Sequence, residues 1–265
     1  MLFAVSGLIG CPVKASDGPI GVAKDFLFDD QSWKVRWMTV DTHHWLPGRH
    51  ALIHPSAIAP VELPPKPALP MMSFGETLTV SVGLTKQQIE ASPELREDEP
   101  VTRDLQARLH DHYGLDPYWA DTYFGPDAID PLSKPIVAET ATPQTPDMES
   151  DPGDGDPHLR SVAEVVGYQV HATDGDLGPV ENILADDVNW DIRYLVVGTR
   201  HWLPGKLVQL APYAVTDIDR RGRRVSVNVT RDQVKSAPAW DPVAMADGAT
   251  EEQLRRHFGW PGHRS

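Results

Sequence analysis

Apolar positions along this chain fall in short alternating runs, and the same succession of runs occurs twice. Strand signals over Leu8 to Lys14 and Val165 to His171 each lead into an Asp-Gly pair, Asp17-Gly18 and Asp174-Gly175. Asp-Gly between apolar runs is a strong hairpin cue, because both residues tolerate the positive φ of a tight turn. A second strand is predicted over Gly21 to Phe28 and Gly178 to Ala185. It runs into Asp29-Asp30 and Asp186-Asp187, whose carboxylates suit a turn. A third strand, Lys34 to Thr42 and Asp191 to Thr199, is apolar on both faces. One face fills a core and the other must be covered by the other repeat, a following helix or a second chain. Pro47-Gly48 and Pro204-Gly205 make the next turn, short strands follow at Leu52-Ile53 and Val208 to Leu210, and a last strand alternates Leu78, Val80 and Val82, or Val225, Val227 and Val229.

Helix starts are marked by Thr three residues before Gln, at Thr85, Thr230 and Thr250. This is the capping-box spacing, in which hydroxyl and amide satisfy orphan backbone donors. Gly114 and Gly259 are placed to end the last helix of each half in a left-handed cap.

The recurrence is a duplication. Gly10 to Ile58 aligns without a gap to Gly167 to Val215 at an offset of 157, with about 20 identities. The offset falls to 145 where Leu84 to Ile89 meets Val229 to Val234, so the first copy carries an insertion, placed at the proline-rich run 60–70. The predicted organisation is a first repeat over 1–125, an acidic Pro/Asp-rich linker over 126–160, and a second repeat over 161–265.

Charge sharpens this division. Of the net −14, residues 1–125 carry −6 and the short segment 126–160 another −6. A chain of pI near 5.1 is poorly suited to neutralising nucleic-acid phosphates, so no nucleic-acid partner is expected. One cysteine permits no internal disulfide, and a cytoplasmic location is the default expectation. No run approaches the length of a membrane helix, which leaves peripheral membrane association as the only membrane role considered.

The succession of strand, Asp-Gly turn, strand ending in Asp-Asp, aromatic residue, apolar strand, Pro-Gly turn and Pro-x-Ala-Ile/Val resembles the PRC-barrel family. That family includes the cytoplasmic part of the photosynthetic reaction-centre H subunit and the C-terminal barrel of a ribosome maturation factor. The resemblance covers about 10–92 and 167–237. It implies a mainly β chain of two small bent barrels in tandem, each followed by short helices. It also implies a binding and assembly role with no reaction common to the family, so neither an enzyme nor a cofactor is expected. The chain lacks the membrane helix of an H subunit and the RNA-factor domain of the maturation protein, so neither specialised role carries over.

The most repeated surface motif is His44-Trp45-Leu46-Pro47-Gly48-Arg49 with its counterpart His201-Trp202-Leu203-Pro204-Gly205-Lys206. As a partner or ligand site it would use Trp45 and Trp202 as anchors, His44 and His201 as polar contacts, and Arg49 and Lys206 at the rim. As a structural element, the tryptophan plugs the end of the barrel and Pro-Gly forms the turn. Trp37 and Tyr194, on the third strands, are candidates for packing between repeats in a pseudo-symmetric dimer within the chain, and a homo-oligomer is left open. A metal or small-molecule regulator, using the His44/Trp45 and His201/Trp202 positions, is the alternative, and the histidines 43, 44, 50 and 54 form a separate cluster to weigh as metal ligands. Only His44 has a histidine counterpart, and no metal site is assigned. Arg36 and Arg193 are expected to pair with the acidic turns before them. Arg220-Arg221-Gly222-Arg223-Arg224 is the one concentrated positive run, read as a solvated hairpin turn or as a contact for the linker's Asp cluster or an acidic partner.

Overall fold

In the computed structural model, which describes residues 2–42, 45–60, 78–96, 99–116, 155–199, 206–240 and 248–260, each repeat opens on a short strand and a single helical turn. The first repeat runs β1 (Leu2–Ala4), a 3-10 turn (Val5–Leu8), β2 (Pro12–Ala15), β3 (Gly18–Asp29), β4 (Lys34–Asp41), β5 (Arg49–Ile53), β6 (Val80–Ser81), α1 (Lys86–Glu90) and β7 (Leu95–Arg96). After α2 (Arg103–Tyr113), the second repeat runs β8 (Leu159–Ser161), α3 (Val162–Val165), β9 (Gln169–Ala172), β10 (Gly175–Asp186), β11 (Ile192–Gly198), β12 (Leu207–Leu210), β13 (Val215–Asp219), β14 (Arg224–Val227), α4 (Arg231–Ser236) and α5 (Gly248–Phe258).

The hairpins fall where the Asp-Gly pairs place them, with Ala15 opposite Gly18 and Ala172 opposite Gly175. The first strands begin later than their apolar runs, because Leu8 and Val165 end helical turns and Gly10 and Gly167 follow at φ 85° and 99°. The long strands β3 and β10 bend at matched irregularities, between Ala23 and Asp25 and between Val180 and Asn182. Gly21 and Gly178 must be glycine, since a Cβ there would sit 1.8 Å from the Asp41 carbonyl oxygen and 1.9 Å from that of Gly198.

The fold is mainly β, with two seven-stranded sheets ordered β6-β2-β3-β4-β5-β7 and β12-β11-β10-β9-β14-β13. Among the described residues neither closes into a barrel. The reason lies after β5 and β12, where Pro55 and Pro212 open 3-10 turns. Proline has no N–H to give a ladder, so pairing is interrupted there, and in the second sheet β12 and β13 lie at opposite ends of the strand order. In each sheet one pairing is parallel, β2 with β6 and β9 with β14, which brings the last strand beside the first.

Each sheet gains its seventh strand from the other repeat. β1 pairs with β10, Phe3 opposite Ala185, and β8 pairs with β3, Arg160 opposite Phe28. The two repeats therefore belong to one compact unit, Met1–Glu97 with His158–Ser265, and the principal apolar core runs through both.

Residues Asp98–Pro157 form a second unit, described over 99–116 and 155–157. Thr102 caps the start of α2 by accepting from the Leu105 N–H, and Gly114 ends it at φ 65°. The buried Asp156 accepts hydrogen bonds from Arg103 Nε at 3.2 Å and Gln106 Nε2 at 2.8 Å. The part of the expected linker before residue 155 lies outside the described residues, as does most of the proline-rich run.

Both predicted capping boxes at Thr85 and Thr230 are formed. Thr250 is not a helix start, because α5 has already begun at Gly248. Gly259 follows α5 at φ 70°, and the Trp260 N–H reaches back to the Arg255 carbonyl, as in a Schellman cap.

Candidate functional site

The repeated tryptophan turn is held from inside the fold. Thr42, fully buried, donates its hydroxyl to the Arg49 carbonyl at 2.9 Å, and the equivalent Thr199 donates to the Lys206 carbonyl at 2.8 Å. Trp45 is half-buried against the core. Its indole N–H donates to the Ile20 carbonyl at 2.7 Å, and the Lys86 ammonium lies 5.9 Å from the ring centre. His44, His201 and Trp202 lie outside the described residues.

Arg49 and Lys206 face inward, each onto the end of the helix that follows. Arg49 donates to the carbonyls of Ile89, Glu90 and Ser92 at 3.0–3.3 Å. Lys206 donates to Val234, Lys235 and Ala237 at 3.2, 2.6 and 2.5 Å. These are equivalent carbonyls in the two repeats, at the second offset of 145. A cation satisfies the orphan acceptors of a helix C-terminus and complements its dipole. Burial pushes the Lys206 ammonium below the usual lysine range. At these two positions the rim contact considered for the motif is replaced by a helix cap.

The third-strand aromatics are buried. Tyr194 sits with Leu184, Val196, Ala211 and Leu254, and partly buried Leu2 and Ala4 pack against that cluster. The outer face of β11 is thus covered by α5 together with the exchanged strand β1. Its hydroxyl is pushed far above the ordinary tyrosine range, first by burial and then by Glu251. Trp37 is fully buried and meets His54 edge-on at 5.6 Å.

Among the described residues no three His, Cys, Asp or Glu side chains are grouped to hold a metal. Of the clustered histidines 43, 44, 50 and 54, the last two are described and point to different neighbours. His50 Nε2 lies 2.8 Å from Lys24 Nζ, and His54 Nδ1 lies 2.8 Å from Ser56 Oγ. The arginines of the third strands differ from expectation. Arg36 donates to Ser32 Oγ at 2.9 Å, and Arg193 reaches Glu251 on α5 at 3.8 Å. The first carboxylates of the acidic turns are engaged by their own backbones, since Asp29 accepts from the Ser32 N–H and Asp186 from the Asn189 N–H.

The most developed constellation is the joint between repeats. Val35 N–H donates to the Trp190 carbonyl at 2.9 Å, and its equivalent Ile192 donates to the Trp33 carbonyl at 2.7 Å. Lys34 faces Asp191, the residue at its own position in the other copy, and their charged groups are 3.5 Å apart. Such self-matching is the mark of a twofold relation. Trp33 and Trp190 hold φ of 56° and 59°, a left-handed conformation that bulky residues rarely adopt. Packing holds them there. Trp190 stacks on Phe26 and takes Phe3 edge-on at 5.1 Å, and Trp33 stacks on Phe28.

Polar clasps tie down the exchanged strands. Asp25 accepts from Ser161 Oγ at 2.5 Å and from the Ala163 N–H at 3.0 Å, while the equivalent Asn182 accepts from Ser6 Oγ at 2.8 Å. Burial pushes the Asp25 carboxyl above its usual range, against the hydrogen bonds that pull it down. Asp30 receives Arg160 Nε at 2.6 Å and lies 3.0 Å from His158 Nδ1. Of these joint residues Trp33, Trp190 and Asp30 had a signal in sequence, as identities between the copies. Phe3 has Arg160 at its equivalent position and Asp25 has Asn182, so identity between the copies could not single them out.

No protein-family model matches the chain, and no curated protein matches it closely enough to stand as a relative.

Proposed function

We propose that this protein is a non-enzymatic assembly module of the cytoplasm, in which two PRC-type barrels, each left open, are locked into a pseudo-dimer that holds a protein partner. The observation that carries this reading is the reciprocal joint. The chain spends its repeated residues on building and coupling two like bodies: threonines close the turns, Arg49 and Lys206 cap helices, and the main chains of Val35 and Ile192 bond across the repeats. Two like bodies coupled in this way display two related surfaces at a fixed separation, which is what a scaffold supplies. The half-buried Trp45 and its counterpart Trp202 are the anchors assigned to those surfaces. Tryptophan side chains are among the commonest energetic centres of protein contacts.

The test is affinity capture from the native host with the intact chain and with the W45F/W202F variant, folding being verified by circular dichroism. The reading expects a specific partner that the folded variant loses. A partner retained by the variant would make both tryptophans structural, and no partner with the intact chain would overturn the reading in favour of a small-molecule regulator.

A further inference from the structure

The hairpin between β13 and β14 is where the two repeats differ most. In the first repeat the corresponding connection, between Ile58 and Val80, carries the proline-rich insertion; in the second it is the short turn Arg220-Arg221-Gly222-Arg223-Arg224. Two such different connections join the same strands, so the fold itself does not ask for four arginines here. The turn geometry does not ask for them either. Asp219 shapes it by accepting from the Gly222 N–H at 3.0 Å, and Arg223 sits at φ 49°, a conformation that glycine or asparagine would adopt with less strain.

Two of the four side chains are anchored. Arg220 pairs with Glu164 at 3.3 Å, and the Arg223 guanidinium lies over the Tyr168 ring at 5.1 Å. Arg221 and Arg224 are exposed and have no hydrogen bond or ion pair from their side chains among the described residues. The charges that face the turn are Glu164 on α3 and Asp219 on the turn itself, and Arg160 lies near enough to act on Tyr168 alongside Arg220 and Arg223. Four guanidinium groups within five residues repel one another, and Glu164 and Tyr168 relieve only two of them.

We infer that the β13–β14 turn is a docking surface for an acidic segment of a partner protein, with Arg221 and Arg224 making the contacts and Arg220 and Arg223 held in place as their support. The inference rests on the reading of the chain as a module that holds a protein. The net charge of −14 selects among polyanions. An extended nucleic acid or an anionic membrane would meet the repulsion of the rest of the molecule. A short carboxylate-bearing segment stays within a Debye length, about 8 Å at physiological salt, of the positive turn. Guanidinium forks also match carboxylates in bidentate geometry.

The experiment measures binding of the full-length chain to three probes: a fluorescent peptide carrying about eight glutamates, a single-stranded oligonucleotide of equal charge, and phosphatidylserine vesicles, each at about 50 and about 300 mM salt. The proteins are wild type, R221E/R224E, and K14E/R256E as a control with the same change in charge. Both variants alter exposed side chains, and folding is checked by thermal unfolding. The expected result is peptide binding weakened about tenfold by salt, lost in R221E/R224E and kept in the control. Peptide binding that survives R221E/R224E, no peptide binding at low salt, or binding of the oligonucleotide or vesicles in preference to the peptide would each overturn the inference. Those outcomes leave capture through the tryptophan turns unaffected, so failure here is distinct from failure of the assembly reading.

Discussion

Asp25 shows how one residue can make the joint sensitive to pH. Its carboxyl is partly buried where Asn182 stands in the other repeat, and that burial raises its pKa in the folded state. A carboxyl whose folded pKa is raised favours folding only while protonated. That contribution is present below the unfolded pKa of about 4 and is lost as pH rises through the folded value. Asp25→Asn keeps an acceptor for the backbone and removes the buried charge. It is expected to stabilise the protein by up to about 1 kcal/mol at neutral pH. The gain should shrink as the pH falls and vanish below the unfolded pKa of about 4, where the carboxyl is protonated in both states. Urea unfolding at a series of pH values measures this, and a gain independent of pH would show that the charge of Asp25 is not what the joint feels.

At the scale of elements, the exchanged strands have weight out of proportion to their three residues each. β1 has little sequence signal as a strand, and chain ends are commonly tolerant of change. Here it completes the sheet of the other repeat, and Phe3, 2 % exposed, meets Trp190 edge-on. Phe3→Ala is expected to cost about 3 kcal/mol through the lost burial and the cavity left beside Trp190. The loss should appear as a shift of the whole chemical unfolding curve, since core residues of both repeats surround the site. A change of less than about 0.5 kcal/mol, the level of an ordinary surface substitution, would mean that β1 frays without consequence.

At the scale of the molecule, the twofold relation predicts a charge-swap rescue. Lys34 and Asp191 are equivalent positions that face each other, each a little over a third exposed. Either K34D or D191K places like charges across the joint, and the K34D/D191K double variant restores an opposite pair. Because both groups are partly solvated, the coupling is expected to be about 0.5 kcal/mol at low salt and smaller at high salt. A double-mutant cycle in urea reads it directly, and additive single effects would place the two side chains out of contact in solution.

Much of the secondary structure was legible because it depends on neighbours along the chain. Asp-Gly pairs marked hairpins, alternating apolar residues marked strands, Thr-x-x-Gln marked α1 and α4, and Gly114 and Gly259 marked helix ends, all through local sterics and short-range hydrogen bonds. The duplication was equally plain, since it is a property of the string of residues alone. What Arg49 and Lys206 bind was not legible, because the carbonyls they cap lie some 30 to 40 residues away and become acceptors only when the helices end beside them. The cover of the third strand was legible as a need but not as an answer; for β11, α5 and β1 supply it together. The joint belongs wholly to tertiary structure. A strand of three residues has no pattern to read, and its partner is chosen by whichever long strand offers an open edge at the right distance. The left-handed Trp190 follows from the same cause, held in a costly conformation by Phe3 and Phe26 of the other repeat.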